Sequence, residues 1–326
     1  MSFKNITGQD RQIGTLVHAL TGNTLAHAYL FTGIPGIGKT TTACALAKAL
    51  HCKDARDDFC DECISCRKIA HGTHPDLVMI EPEGDSIKIN QIRTMQEQVS
   101  YTSYEGHHKI VLISKSERMT LQSSNCLLKT LEEPPPHTVL ILITSVPYRL
   151  PSTVRSRCQS VMFQPLPEAV IEEALRKQWG EEEGEKIQLI ASLAGGSLGR
   201  AVRWMENGVL QERKELLETL SRLHTCSPTA LFTCAELLGD DKKLVREKLD
   251  VITWWLRDLL LLKATSQANH IINKDLIREA CAAASRLSWF TLFEQAQVIA
   301  EVETAVQSNV TVRLAMETML FKLSRK

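Results

Sequence analysis

The residues best suited to chemistry begin at Gly33. Gly33-Ile34-Pro35-Gly36-Ile37-Gly38-Lys39-Thr40 fills every fixed position of the pattern G-x-x-x-x-G-K-S/T. That pattern wraps backbone N–H groups around the phosphates of a nucleotide. Gly33, Gly36 and Gly38 permit the tight curl, and the helix that must follow adds the partial positive charge of its N-terminus. In this frame Lys39 reaches the terminal phosphates and the Thr40 hydroxyl ligates magnesium, with Thr41 beside it in the first helical turn. The expected ligand is ATP with magnesium.

Hydrolysis asks for more. P-loop hydrolases hold magnesium through an aspartate on a second strand, and the apolar run 110–113 is where that strand should end. The next residues are Ser114 and Lys115. A serine brings no negative charge, and a lysine repels the metal and cannot orient a water as a carboxylate does. Glu117 is an alternative acid, but it lies two positions beyond the expected place. General acid–base help alone is worth ~10²–10⁴ in rate, so the expectation is a nucleotide that is bound and hardly turned over.

A second constellation is Cys52-x7-Cys60-x2-Cys63-x2-Cys66. Four soft ligands at short spacing suit a closed, tetrahedral, structural zinc site. An iron–sulfur cluster or free thiols are the alternatives. His51, His71 and His74 lie near enough to replace a cysteine, although four cysteines make that unnecessary. Cys44, Cys126, Cys226, Cys234 and Cys281 show no ligand spacing and are expected to pack as small apolar residues.

The elements that must position these groups follow from the hydrophobic pattern. Apolar runs at 28–31, 77–80, 110–113 and 139–143 predict strands buried on both faces of a parallel sheet. Helices are expected at 39–50, opened by the glycine loop, and at 121–131, stopped by Pro134-Pro135-Pro136 because proline cannot continue a helix. Beyond 167 the texture is helical, with a break at Gly195-Gly196-Ser197. The organisation predicted is an α/β P-loop core over 1–165 with a cysteine-bearing insertion at about 51–67, a small helical unit over 166–206 and an all-helical region over 207–326. Trp254 and Trp255 are expected in the helical core.

Bulk properties exclude some classes. Lysine plus arginine equals aspartate plus glutamate, 38 each in 326 residues. A protein that lives by gripping phosphate backbones usually carries a basic surplus, so any nucleic-acid contact should be local or shared with partners. The start of the chain lacks the apolar core of an export signal. The longest apolar stretch, 254–262, is interrupted by Arg257 and Asp258 and cannot span a bilayer. A cytoplasmic protein with reduced cysteines and no membrane partner is expected.

The P-loop, Ala26-His27-Ala28-Tyr29-Leu30-Phe31 before it, the cysteine insertion, Leu127-Leu128-Lys129-Thr130-Leu131-Glu132-Glu133-Pro134-Pro135 and Ser156-Arg157-Cys158 occur in that order. Together they resemble the AAA+ clamp-loader family of bacterial DNA polymerase III, strongly over about 6–165 and in outline beyond. The resemblance implies an AAA+ core, a small helical lid and a C-terminal helical collar that joins a hetero-pentamer with gamma/tau and delta subunits. It implies a part in placing the ring-shaped sliding clamp on primed DNA. It also implies that Arg157 is an arginine finger acting in trans on a neighbouring subunit's ATP, with Arg155 as the nearer competitor. Thr144 and Ser145 fall where AAA+ proteins place a polar nucleotide sensor. The gamma/tau motor carries Asp-Glu where this chain has Ser114-Lys115, and a sensing arginine at the position of Gly199, next to Arg200. Gly72-Thr73-His74-Pro75-Asp76 with Ile80-Glu81-Pro82 fits the family's non-motor members. The alternative is an active ATPase motor of gamma/tau type or a related DNA-remodelling AAA+ ATPase.

Overall fold

The computed structural model describes residues 2–55, 58–105, 108–222, 241–265, 271–307 and 311–324, with single positions at 231, 235, 238, 239 and 267. Contacts divide the chain into two compact units, one of Met1–Gly184 with Ala194–Val202 and one of Glu185–Leu193 with Arg203–Lys326.

The first unit is built on a five-stranded sheet of order β2-β3-β4-β1-β5. The strands are β1 (Ala28–Thr32), β2 (Leu77–Ile80), β3 (Lys109–Ile113), β4 (Thr138–Thr144) and β5 (Gln159–Met162). All of them pair in parallel. The three inner strands are buried at every position, which is why their sequences read as unbroken apolar runs and not as alternation. One sheet face packs Phe31, Leu112 and Ile141 with Leu16 of α1 (Asp10–Thr21), Leu46 of α2 (Lys39–His51) and Ile69 of α3 (Ile64–Ala70). The other packs Leu30, Val111 and Leu140 with Ile92 of α4 (Ile89–Ser100) and Leu127 of α5 (Leu121–Glu132). The expected α/β core with a parallel sheet is present. β5 is an addition to the four predicted strands. It is an edge strand in which only Val161 is buried, so it offered no apolar run to read.

Helix ends fall where local chemistry puts them. The Thr120 side chain accepts from the Ser123 amide and caps α5, satisfying an otherwise orphan donor. The same helix ends at Glu132, one residue before Glu133 and the prolines. A short helix α6 (Ser152–Arg155) precedes β5, and α7 (Glu168–Trp179) follows it.

Every regular element among the second unit's described residues is a helix. Its longer helices are Val209–Arg222, Lys242–Thr265, Ile277–Arg286, Trp289–Gln307 and Val312–Ser324. Trp255 is buried, and Trp254 sits with its ring centroid 5.9 Å from that of Trp204, so both tryptophans pack as expected. Asp258, which interrupts the apolar run, is fully buried and accepts from the amides of Ile272 and Asn273 and from Asn273 Nδ2. Arg213, also buried, donates to both oxygens of Asp275 and to Asn273 Oδ1. Asp258 and Arg213 therefore serve packing: both have hydrogen-bond partners, which is the condition for tolerating a buried charge. No described helix is long and apolar enough to cross a membrane. Cys226 and Cys234 lie outside the described residues. Cys281 is exposed, contrary to the expectation that it packs as an apolar residue.

Candidate functional site

The glycine loop leaves β1 and enters α2 at Lys39, with Gly38 at the N-cap in a left-handed conformation of φ 100°. Gly36 shows why no other residue would serve. Its φ is +74°, and a Cβ there would lie 2.5 Å from Ser197 Oγ. Lys39 is buried, and its Nζ donates to the carbonyls of Gly33 and Ile34 at 2.5 and 2.8 Å. Burial lowers its pKa to about 8, opposed by the charge of Glu117. Thr40 and Thr41 stand exposed in the first turn of α2.

A loop from farther along the chain is bound to this one. Ser197 Oγ donates to Pro35 O, and the Gly199 amide donates to Gly36 O, each at 2.8 Å. A Cβ at position 199 would meet Gly36 Cα at 3.0 Å, tighter than ordinary contact. The backbones touch because neither glycine carries a side chain, so an arginine at position 199 would require the two loops to give by a few tenths of an ångström. Arg200 turns elsewhere, with Nη1 3.5 Å from Ala194 O.

Ser114 and Lys115 follow β3 as the pattern placed them. Lys115 is exposed and left-handed, with φ 50°. The chain then reverses through a 3-10 turn, Ser116–Arg118. Ser116 is buried and donates to Ile143 O at 3.2 Å. Glu117 Oε1 accepts from Ser145 Oγ at 3.2 Å, while its buried Oε2 has no hydrogen-bond partner. Thr144 is buried and accepts from the Val146 amide. Glu117 and Ser145, distant in sequence, thus come together at the carboxyl ends of β3 and β4. Periodicity carries no signal for that pairing.

Arg157 lies beyond α6, in the turn before β5. Its Nη2 is 2.7 Å from Glu132 Oε1 at the end of α5, and its Nη1 donates to Thr153 O at 2.9 Å. The side chain is still more than a third exposed. Arg155 is exposed as well. Nothing in the spacing of Glu132 and Arg157 along the chain signals this bond.

The cysteines at 52, 60, 63 and 66 form one group, their Sγ atoms within 4.8 Å of one another. Cys52 and Cys60 approach to 3.6 Å. The amides of Ala55, Cys63 and Cys66 point at the sulfurs of Cys52, Cys60 and Cys63. Burial raises the Cys63 thiol, but the amides of Lys53 and Cys66 together with the side chains of Cys66 and Cys60 outweigh it and bring it to about 7. Burial pushes Cys66 up to about 12. Amides aimed at sulfur favour thiolates, and thiolates this close together need a cation between them. The donor set thus fits a metal that prefers four sulfur ligands. His51 and His74 do not join it. Their rings pack 4.5 Å apart and gather with Asp76 in a separate buried group, where His74 Nδ1 accepts from the Asp76 amide and the Asp76 carboxylate accepts from the amides of Tyr104 and Glu105.

Residues 8–167 match the sequence profile described as "DNA polymerase III, delta subunit", and residues 207–325 match "DNA polymerase III, delta subunit, C terminal". The chain is 32% identical to DNA polymerase III subunit delta' of Bacillus subtilis, over 97% of this chain and 96% of that protein. It is 31% identical to the tau subunit of the same organism over 85% of this chain, which spans 53% of that longer protein. Among solved structures, a gamma-subunit-related protein of Thermotoga maritima aligns with 96% of this chain and 98% of its own, at 18% identity and a TM-score of 0.45.

Proposed function

Because this chain belongs to the DNA polymerase III delta-subunit family, as a delta-prime-like subunit of the clamp loader, we propose that it lends chemistry across a subunit boundary and performs little of its own. In this reading Arg157 completes the ATP site of a neighbouring gamma/tau motor. The chain's own loop (Gly33, Gly36, Gly38, Lys39, Thr40, Thr41) holds ATP with magnesium without turning it over. The observation that carries the reading is Ser114-Lys115 at the end of β3. The pocket lacks, in the usual places, both the carboxylate for the metal and the one for the attacking water. Arg157 supplies the complementary half: its Nε and the remaining Nη hydrogens stay available while Glu132 and Thr153 fix the guanidinium.

The remaining parts follow from family membership. A core over 1–165, a lid over 166–206 and a collar over 207–326 would place the chain as a comparatively fixed wall of a hetero-pentamer with gamma/tau and delta. That assembly would open the sliding clamp and set it on primed DNA in the cytoplasm. Cys52, Cys60, Cys63 and Cys66 would hold a structural zinc, all four positions being filled by protein.

The test is made on the assembled loader. Arg157→Ala should slow its ATPase while the variant still co-purifies with the gamma/tau and delta subunits, since an arginine finger is worth ~10³–10⁵ in rate at the site it serves. Unchanged turnover by a complex carrying that substitution would show that the finger is another residue, Arg155 first. The isolated chain should hydrolyse ATP barely above background. Steady turnover by it, abolished by Lys39→Ala, would make it a motor.

A further inference from the structure

Glu117 has a place in the fold that the proposed function leaves unused. β3 ends at Ile113, and the left-handed turn at Lys115 throws that side chain into solvent and folds the chain back. Ser116 locks the reversal by its bond to Ile143 O. The result carries Glu117 to the end of β4, where Ser145 holds one carboxylate oxygen and the other is buried with no hydrogen-bond partner. β4 lies between β3 and β1, and β1 runs into the glycine loop. The carboxylate therefore stands at the same edge of the sheet as the loop, close enough for its charge to act on Lys39. In open parallel sheets, ligands bind at that carboxyl edge.

We infer that Glu117 supplies the acid that Ser114 and Lys115 do not, so that the pocket takes a nucleoside triphosphate together with a divalent cation held among the phosphates, Thr40 and Glu117. The inference rests on the nucleotide-holding reading above and adds to it the residue that makes the site metal-dependent. A carboxylate oxygen removed from water and left without a donor is costly. The nearby ammonium of Lys39 donates to Gly33 O and Ile34 O. A hard divalent cation is the partner such an oxygen suits, since magnesium in phosphate sites is held by one or two carboxylates plus the phosphates. Lys115 remains outside, so the pocket still lacks a base in the usual place for the attacking water. A site of this kind retains its nucleotide.

Binding of a non-hydrolysable imido analogue of ATP to the full chain tests this, measured by calorimetry with magnesium and again with EDTA. The unmodified chain should bind about tenfold more tightly with magnesium than without, a difference of ~1.4 kcal/mol. Glu117→Gln, which keeps the shape and the bond from Ser145, should lose most of that gain while its affinity in EDTA stays within about twofold. Lys39→Ala should weaken binding under both conditions. Equal magnesium gains in Glu117→Gln and the unmodified chain would remove Glu117 from the site and leave nucleotide holding intact. Tighter binding by Glu117→Gln under both conditions would make the residue an excluder of phosphate and overturn the inference. No binding by the unmodified chain under either condition would end the nucleotide-holding reading itself. Should the glutamine variant fail to fold, manganese in place of magnesium on the unmodified chain decides the matter: a hyperfine coupling to labelled glutamate carboxylate supports the assignment, and its absence rejects it.

Discussion

At the scale of single residues, the proposed finger Arg157 and its partner Glu132 allow a test that separates function from stability. Both side chains are substantially exposed, and an exposed ion pair contributes only ~0–1 kcal/mol to folding. Breaking it should leave the melting temperature nearly unchanged. Its value would lie in aim: Arg157 hangs on a short turn, and one carboxylate plus one carbonyl fix the plane of the guanidinium. Glu132→Gln should therefore lower kcat of the assembled loader, by about three- to tenfold, and by less than Arg157→Ala does, since misplacement costs less than removal. In the background of Arg157→Ala the same change should do nothing further. Additive losses in that double-mutant cycle would show that Glu132 acts on the neighbour directly and not through the arginine.

At the scale of elements, two segments carry predictions of their own. The insertion between α2 and β2 packs Phe59 and Cys66 against Phe3, Ile13, Ala45 and Ala49, with Cys52, Cys60 and Cys63 partly buried beside them. A metal held by four sulfurs would tie the loop's two ends together in addition to this packing. Purified protein should contain about one zinc per chain, and Cys63→Ser should lower that content and the melting temperature together. Full metal content in that variant would mean that Cys63 is not a ligand. In the helix Trp289–Gln307, Glu303 faces Asp250 and Arg246 of Lys242–Thr265 and accepts from Thr253 Oγ1 at 3.5 Å. Burial raises its pKa, Asp250 raises it further, and the Thr253 bond and Arg246 only partly offset them. A carboxyl raised on folding binds more protons folded than unfolded, so it weakens the fold above its folded pKa and ceases to do so below the ordinary value near 4.5. Glu303→Gln should stabilise the chain at neutral pH, and the gain should shrink as the pH is lowered towards 4.5. A melting-temperature difference that stays constant over that range would assign the effect to packing.

These elements also mark how far the residues spoke for themselves. The inner strands and α2 were legible because burial on both faces, and a loop that only glycine can form, leave signatures in local order. β5 was not, because an edge strand with one buried residue has no pattern of its own. The glycine loop and the cysteine group were legible as spacing. Glu117 was legible only as an alternative acid, because counting along the chain put it two positions beyond the expected place, whereas the left-handed residue at 115 and the turn after it set it beside Ser145. Glu132 could not be paired with Arg157 from sequence, since 25 positions separate them and no periodicity spans two elements.

At the scale of the whole molecule, charge balance decides what the chain can do alone. Thirty-eight basic and thirty-eight acidic residues leave no net field to draw it to a polyanion, and several lysines and arginines are already committed, Lys48 to Asp61, Lys68 to Glu105 and Arg213 to Asp275. Non-specific duplex binding is driven by released counterions, with log K falling by ~0.9 per log unit of salt for each phosphate neutralised. In the proposed role of a wall that lends an arginine to its neighbour, a neutral subunit has no need of such contacts. The isolated chain should therefore bind duplex DNA weakly near physiological salt, with a slope no steeper than about −2. The assembled loader should bind far more tightly and with a steeper slope supplied by its other subunits. A slope near −5 or beyond for the lone chain would reveal a basic face strong enough to grip DNA by itself, and the fixed-wall description would then have to give way to a subunit that touches the duplex directly.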